Sequence, residues 1–344
     1  MRAGQKYFIQ EHLHRDVYHG GIFNVDAEKI FLARGYQAIE FPGTFDFTGR
    51  SKWKRWRYLI KTFFKLSAHD LVIFQFPLYA RIHKLLITLL RLKGVTIICL
   101  ILDIDGMRDG NKKLLKKEIK AFRRFRLFIV HNERMQQWLQ PIVPKATIAQ
   151  VQFFDFLTTP VHQHRSKNNQ IIIAGDLSKT TFIEKLGQLP RLSFSIYGAG
   201  YPERNTIPEN ASFKGLFRPH ELVRHIQGAF GLVWYGEEIE SFAGNYGHYL
   251  TLITPHKLSL FIMAGIPVIV PATSASATLV KQYGIGCTIE KLSDIEGVIG
   301  KLSEPEYQVM VENMLPLATQ LSQGHFLTKA LGQLGQALHE NSLA

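Results

Sequence analysis

Short runs of aliphatic and β-branched residues, with no polar alternation, recur along this chain and are separated by segments of helical period. Leu71–Gln75, Val95–Leu102, Leu127–Val130, Gln170–Ala174 and Ile266–Val270 are such runs. A strand that is apolar on both faces must be covered on both, which is the mark of a parallel sheet between helical layers. In the first half, strands at Tyr7–Ile9, Gln37–Phe41, Leu71–Gln75, Val95–Leu102 and Leu127–Val130 are predicted. Between and after them fall helices at Asp26–Arg34, Lys52–Leu66, Arg81–Leu92, Lys112–Arg126 and Glu133–Gln140. The acidic start of Asp26–Arg34 suits the positive end of a helix.

The polar segment Thr158–Asn169, which carries Pro160, reads as an interdomain linker. The alternation then resumes. Strands are expected at Gln170–Ala174, Leu192–Tyr197, Ala211–Lys214, Phe230–Trp234, Ile266–Val270 and Ile285–Thr288, with helices at Pro219–Gly228, Lys257–Ala264 and Thr278–Tyr283. The fold class is therefore α/β, with two doubly wound Rossmann-like domains and a ligand cleft where they face each other. The predicted boundaries are 1–157, the linker 158–169, 170–320, and a C-terminal helix 321–344 packing back toward the first domain. A length of 344 residues, 46% of them hydrophobic, is enough for two cores.

Charge separates the halves. Residues 1–160 hold 27 Lys and Arg against 13 Asp and Glu, a net of +14, so nearly the whole excess of +13 belongs to the first domain. Such an excess points to an anionic partner surface. Its main carriers are Lys52–Leu66 and Asn111–Arg126. The first places Trp53, Trp56, Ile60, Phe63 and Phe64 on one side and Lys54, Arg57, Lys61 and Lys65 on the other. That pattern suits a membrane surface, or a helix laying its apolar face on the sheet. The longest apolar run, Val95–Ile104, contains Asp103 and is too short to span a bilayer. The N-terminus lacks a signal-peptide layout, and Cys99 and Cys287 read as buried free thiols in a reducing compartment. A cytoplasmic protein is expected, with peripheral attachment to the inner face of the membrane left open.

The stretch Pro255–Pro271, PHKLSLFIMAGIPVIVP, carries the chemistry. Pro255 punctuates, Lys257–Ala264 forms a helix, Gly265 stops it, and Ile266–Val270 is one buried strand. The first-turn amides of that helix, with His256 and Lys257 beside them, make a phosphate site. The plainer alternative is an ordinary helix, turn and strand with a surface lysine. Glycines also follow four successive strands: Gly175, Gly198 with Gly200, Gly215, and the Gly-rich Tyr235–Gly247. Glycine after a strand lets backbone approach a ligand closely. Neither GxGxxG nor GxxxxGK[ST] occurs, so dinucleotide and P-loop readings have no support.

These pieces resemble the GT-B glycosyltransferases. The likeness is to the bacterial family holding β-1,6-galactofuranosyltransferases of O-antigen synthesis and glucosyltransferases that extend GlcNAc on serine-rich-repeat adhesins. The matching segments run in order: FQFP (Phe74–Pro77), IVHNERM (Ile129–Met135), FFDF (Phe153–Phe156), IIIAGDLSK (Ile171–Lys179), IYGAG (Ile196–Gly200), FGLVWYG (Phe230–Gly236), AGNYGHYL (Ala243–Leu250) and the Pro255 stretch. The resemblance implies hexosyl transfer from a UDP-sugar to a lipid-linked or protein-linked glycan, in bacterial polysaccharide, O-antigen or glycoprotein synthesis. No cofactor and no metal are expected. Nucleic acid is not an expected partner; an anionic membrane surface and a second copy of the chain stay open.

On the same basis Gly175, Lys179, Tyr197, Gly198, Phe217, Asn245, His248, His256, Lys257, Leu258 and Ser259 are candidate nucleotide-sugar contacts, with Lys257 neutralising the departing diphosphate. Core packing is the competing role for Tyr197 and Phe217, and loop bracing for Asn245 and His248. The family tends to carry His-Asp where this chain has Leu102-Asp103, so Asp103 alone is left as candidate base, with Asp105 second on the acceptor side. Both also suit carboxylates that cap the next helix. Gly20 and Gly21 are candidates for admitting acceptor or donor phosphates. Asp103-Ile104-Asp105 is a DxD, but this class of fold does not call for a metal there. His12, His14, His19, His162 and His164 have no Cys at ligand spacing and read as solvated. A nucleotide-sugar epimerase of the same architecture, or a non-catalytic basic protein that binds membrane or nucleic acid, are the alternatives.

Overall fold

The computed structural model describes residues 4–12, 21–42, 49–161, 163–200 and 207–343. Contacts divide the chain into two compact units. The first takes in Asn24–Val151, the strand before it and Leu327–Ala344; the second is chiefly Gln152–Phe326.

The first unit runs β1 (Lys6–Gln10), α1 (Ile22–Ala33), β2 (Gln37–Glu40), α2 (Gly49–Lys65), β3 (Leu71–Phe76), α3 (Arg81–Leu92), β4 (Thr96–Ile101), α4 (Asp105–Arg108), α5 (Lys112–Phe122), β5 (Leu127–Val130), α6 (Glu133–Leu139) and β6 (Thr147–Gln150). All pairings are parallel, in the order β2-β1-β3-β4-β5-β6. The β3 and β4 runs are buried nearly throughout, as strands covered on both faces must be. Strand β6 was not apparent in the sequence because TIAQ is short, half-polar and pairs only along β5.

The second unit runs β7 (Gln170–Asp176), β8 (Ser193–Ala199), β9 (Ala211–Gly215), α7 (Pro219–His225), β10 (Phe230–Leu232), α8 (Asn245–Leu250), α9 (His256–Met263), β11 (Val268–Pro271), α10 (Ser276–Tyr283), β12 (Gly286–Ile289), α11 (Ile295–Lys301) and α12 (Glu304–Ser322). Helix α13 (His325–Leu343) follows. This sheet is also all parallel, ordered β12-β11-β10-β7-β8-β9. Renumbered from its own first strand, that is the doubly wound dinucleotide-fold order. Its core holds Ile171, Ile173, Phe194, Phe230, Trp234 and Tyr307, the last donating its hydroxyl to Ala229 O (2.8 Å).

Several sequence expectations change. Helix α1 starts at Ile22, right after Gly21 in the left-handed region (φ 71°), so Asp26 and Glu28 lie inside the helix, fully buried, and do not open it. The sheet side of α2 is Tyr58, Leu59, Thr62 and Leu66, whereas Trp53, Trp56, Ile60 and Phe64 are exposed. Tyr235–Gly247 is only in part a loop, since α8 begins at Asn245. Segment 158–169 is tied to the second unit: Val161 N–H donates to Met263 O (2.8 Å), and buried Arg165 donates to Ala264 O (2.8 and 3.1 Å) and Gly228 O (3.2 Å). Cys99 is buried, but Cys287, near the edge of its sheet, is only half-buried. No helix of the described residues is long and apolar enough to cross a membrane.

Candidate functional site

The order of the second sheet reverses between β7 and β10, and a crevice opens outside the carboxyl ends of strands at such a point. Three side features converge there. Strand β7 ends in Gly175 (φ 126°) and Asp176. Beyond β10 comes Tyr235. From α9, Lys257 reaches in, its Nζ 4.2 Å from the Tyr235 ring centroid and 3.6 Å from where a Cβ on Gly175 would stand. Any other residue at Gly175 would be strained by this φ, and its Cβ would stand in van der Waals contact with the ammonium. Burial strips water from Lys257 and lowers its pKa to about 7, against the pull of the Asp176 carboxylate.

The position of Lys257 follows from how α9 is held. Pro255 occupies the N-cap with extended backbone (φ −74°, ψ 145°). Leu258, Phe261 and Ile262 are fully buried. The Phe261 ring fills the space above Gly231 of β10, where a Cβ would come within 2.4 Å of it, so the missing side chain lets the helix lie close on the sheet. Ser259 Oγ donates to Phe154 O (2.6 Å). At the far end Arg165 caps the Ala264 carbonyl, the favoured charge for a helix C-terminus. First-turn amides of a helix have no acceptor four residues back; that of Leu258 turns to Pro255 O (3.0 Å).

The remaining candidates sort by place. Leu258 and Ser259 point their side chains into the core, so any ligand contact from them is through backbone. Tyr197 is buried, its hydroxyl accepting from Gln227 N–H (3.2 Å), with burial raising its pKa. Gly198 (φ 147°) pairs with Gly175 across β7 and β8, and a Cβ there would lie 1.8 Å from Gly175 O, so close strand packing explains it. Phe217 is half-buried and stacks on His225 (4.8 Å, 20°). Asn245 and His248 are exposed on α8. His256 stacks on Phe156 (4.9 Å, 24°). The Lys179 side chain, Gly20, His14, His19 and His162 lie outside the described residues; Gly21 directly precedes α1.

In the first unit Asp103 and Asp105 follow β4, and Arg108 bridges them: Nη1 pairs with Asp103 Oδ2 and with Asp105 Oδ1 (2.9 Å), while Nε binds Asp109 Oδ1 (2.7 Å). Burial raises the pKa of Asp105 against the pull of Arg108. Glu118 of α5 accepts from Gly106 N–H (2.9 Å) and is pushed up to about 7, chiefly by burial. Asp103 is therefore ion-paired as it stands, and Arg108 occupies the space between the DxD carboxylates. No group of three or more His, Cys, Asp or Glu stands at metal-holding distance among the described residues.

The sequence reading missed a second device in this unit. Order in the first sheet reverses between β1 and β3. At the end of β1, the fully buried Glu28 accepts from the N–H groups of Glu11 (2.8 Å) and His12 (3.0 Å) and from Gln75 Nε2 (3.1 Å). His12 Nε2 lies 3.4 Å from Asn24 Nδ2. A second carboxylate in mid-helix, two residues after Asp26 and just before the apolar Ile30-Phe31-Leu32, was the available signal.

Residues 6–141 match the profile described as Glucosyltransferase 3-like, N-terminal domain, and residues 171–334 match its C-terminal domain. The β-1,6-galactofuranosyltransferase WbbI of Escherichia coli (strain K12) is 26% identical over 276 residues, 78% of this chain and 80% of WbbI. Glucosyltransferase 3 of Streptococcus gordonii is 26% identical over 317 residues, 89% of this chain and 91% of that protein. Among solved structures, Anabaena HepE in complex with UDP and glucose superposes with a TM-score of 0.63 at 11% identity, over 98% of this chain and 100% of HepE, a likeness of fold. With both domain profiles matched in order, the chain belongs to the Glucosyltransferase 3-like family.

Proposed function

We propose that this protein is a hexosyltransferase that moves galactofuranose or glucose from a UDP-sugar to a lipid-linked or protein-linked glycan, without a metal ion. The observation that carries the reading is Lys257 at the switch point of the second sheet, beside a strand end kept open by Gly175. During transfer the bond between sugar C1 and the diphosphate oxygen breaks, and its electron pair leaves with UDP. The Lys257 ammonium and the first-turn amides of α9 stabilise that charge. The acceptor hydroxyl oxygen bonds C1, and its proton passes to a base. Asp103 is the proposed base, with Asp105 beside it. Asp103 is paired with Arg108, so the acceptor hydroxyl must displace or share that guanidinium to reach it.

Family membership supports the transferase reading, as do relatives named for galactofuranosyl and glucosyl transfer. The strongly basic first half suits an acceptor presented on an anionic surface. The test is a panel of UDP-sugars screened by thermal shift, followed by UDP release from the best binder. Stabilisation by one or more UDP-sugars and slow UDP release are expected. No shift with any member of the panel would contradict the proposal.

A further inference from the structure

Helix α2 carries two apolar faces. One is buried: Tyr58 and Leu59, with Thr62 and Leu66, pack inward, and Tyr58 meets the Phe41 ring edge-on at 5.1 Å. The other faces solvent. Trp53 is 68% exposed, Trp56 55%, Ile60 52% and Phe64 76%. Their spacing of three, four and four makes a single stripe along the helix. At about 100° per residue, that stripe lies nearly opposite the buried face, so packing within this unit does not account for it. Lys54, Arg57, Lys61 and Lys65 repeat at the same spacing, all exposed, and run along one flank of the stripe, with Lys52 on the other. The whole of Gly49–Lys65 holds seven Lys and Arg and neither Asp nor Glu. The surface continues at one end onto α3, where Leu92 is 82% exposed and neighbouring Lys93 donates to Phe63 O.

We infer that this face of α2 docks onto an anionic lipid bilayer. Large exposed apolar patches mark interaction sites, and this one is a ridge, not a groove. A bilayer accepts separate aromatic side chains without a complementary pocket. Tryptophan favours the headgroup boundary, and lysine stems run along apolar surface while their charge stays in water. The cations supply attraction that a neutral bilayer does not return. The purpose assigned to docking, access to a glycan on lipid, rests on the proposed function; the docking itself does not.

The experiment is co-sedimentation of the full chain with vesicles of phosphatidylcholine alone or mixed with phosphatidylglycerol, at low salt. It is run for wild type, for Trp53→Ser with Trp56→Ser and Phe64→Ser, and for Lys54→Glu with Arg57→Glu, Lys61→Glu and Lys65→Glu. Wild type should pellet with the anionic vesicles only, with a blue shift in tryptophan emission. Each variant should bind them at least roughly tenfold more weakly, while its thermal shift with UDP stays as in wild type. Wild type remaining in the supernatant overturns the inference. So does undiminished binding by the aromatic variant, or a finding that the stripe instead holds two copies of the chain together. Vesicle binding in a protein that no UDP-sugar stabilises would uphold docking and sink the transferase reading.

Discussion

At the scale of residues, Lys257 is the side chain whose environment says most. Partial burial of that ammonium lowers its pKa to about 7, and a bound diphosphate would favour the charged form. UDP binding should therefore take up a proton. As pH rises from about 7, UDP affinity should fall by up to roughly tenfold per pH unit until the pKa of the complex is reached. Titration calorimetry between about pH 7.5 and pH 9, where the terminal phosphate of UDP is almost wholly ionised, checks this; a flat affinity would contradict it. The sign for the free protein is opposite. The unfolded lysine, with a pKa near 10.4, binds more protons than the folded one above pH 7. So this residue's contribution to stability rises with pH between those values. Lys257 stood out in the sequence as a candidate phosphate contact from the Pro-His-Lys start of its helix. Its lowered pKa was not, because the desolvation comes from Tyr235 and β7, remote in the chain.

At the scale of elements, α9 is fixed from both ends, and the far end tests how. Replacing Arg165 by Met keeps bulk but leaves the Ala264 carbonyl without its donor in a buried place. The expected cost is about 1–3 kcal/mol, read as a lower midpoint in denaturant unfolding; an unchanged midpoint would remove the cap from the account. In the sequence, Arg165 passed for part of a polar linker, since a partner 99 residues away leaves no local trace. The turn after β4 gives a second test. Arg108 already binds Asp103 and Asp105, so UDP release from the donor sugar should persist in excess EDTA. Loss in chelator with recovery on adding Mn²⁺ would overturn the metal-free mechanism. Here the carboxylates were visible as a DxD, whereas the cation between them was hidden by a helical turn that no periodicity announces.

For the whole molecule, the strand runs and their order of appearance were enough to read two parallel α/β units, because a strand buried on both faces permits few other arrangements. The units differ in charge: one carries the basic excess, the other the switch-point lysine. What escaped the sequence was which side of an amphipathic helix faces in. Helix α2 has apolar residues on two sides, and only the fold shows that Tyr58 and Leu59 take the core while the tryptophans remain outside. The claim on which the rest depends is that the second unit binds UDP through Lys257. Titration calorimetry with UDP on wild type and Lys257→Ala, near pH 7, tests it most directly. Loss of a charge-assisted contact of about 1.5–3 kcal/mol predicts roughly 10- to 100-fold weaker binding by the variant, with its unfolding transition still cooperative; equal affinity in the two proteins would contradict the account.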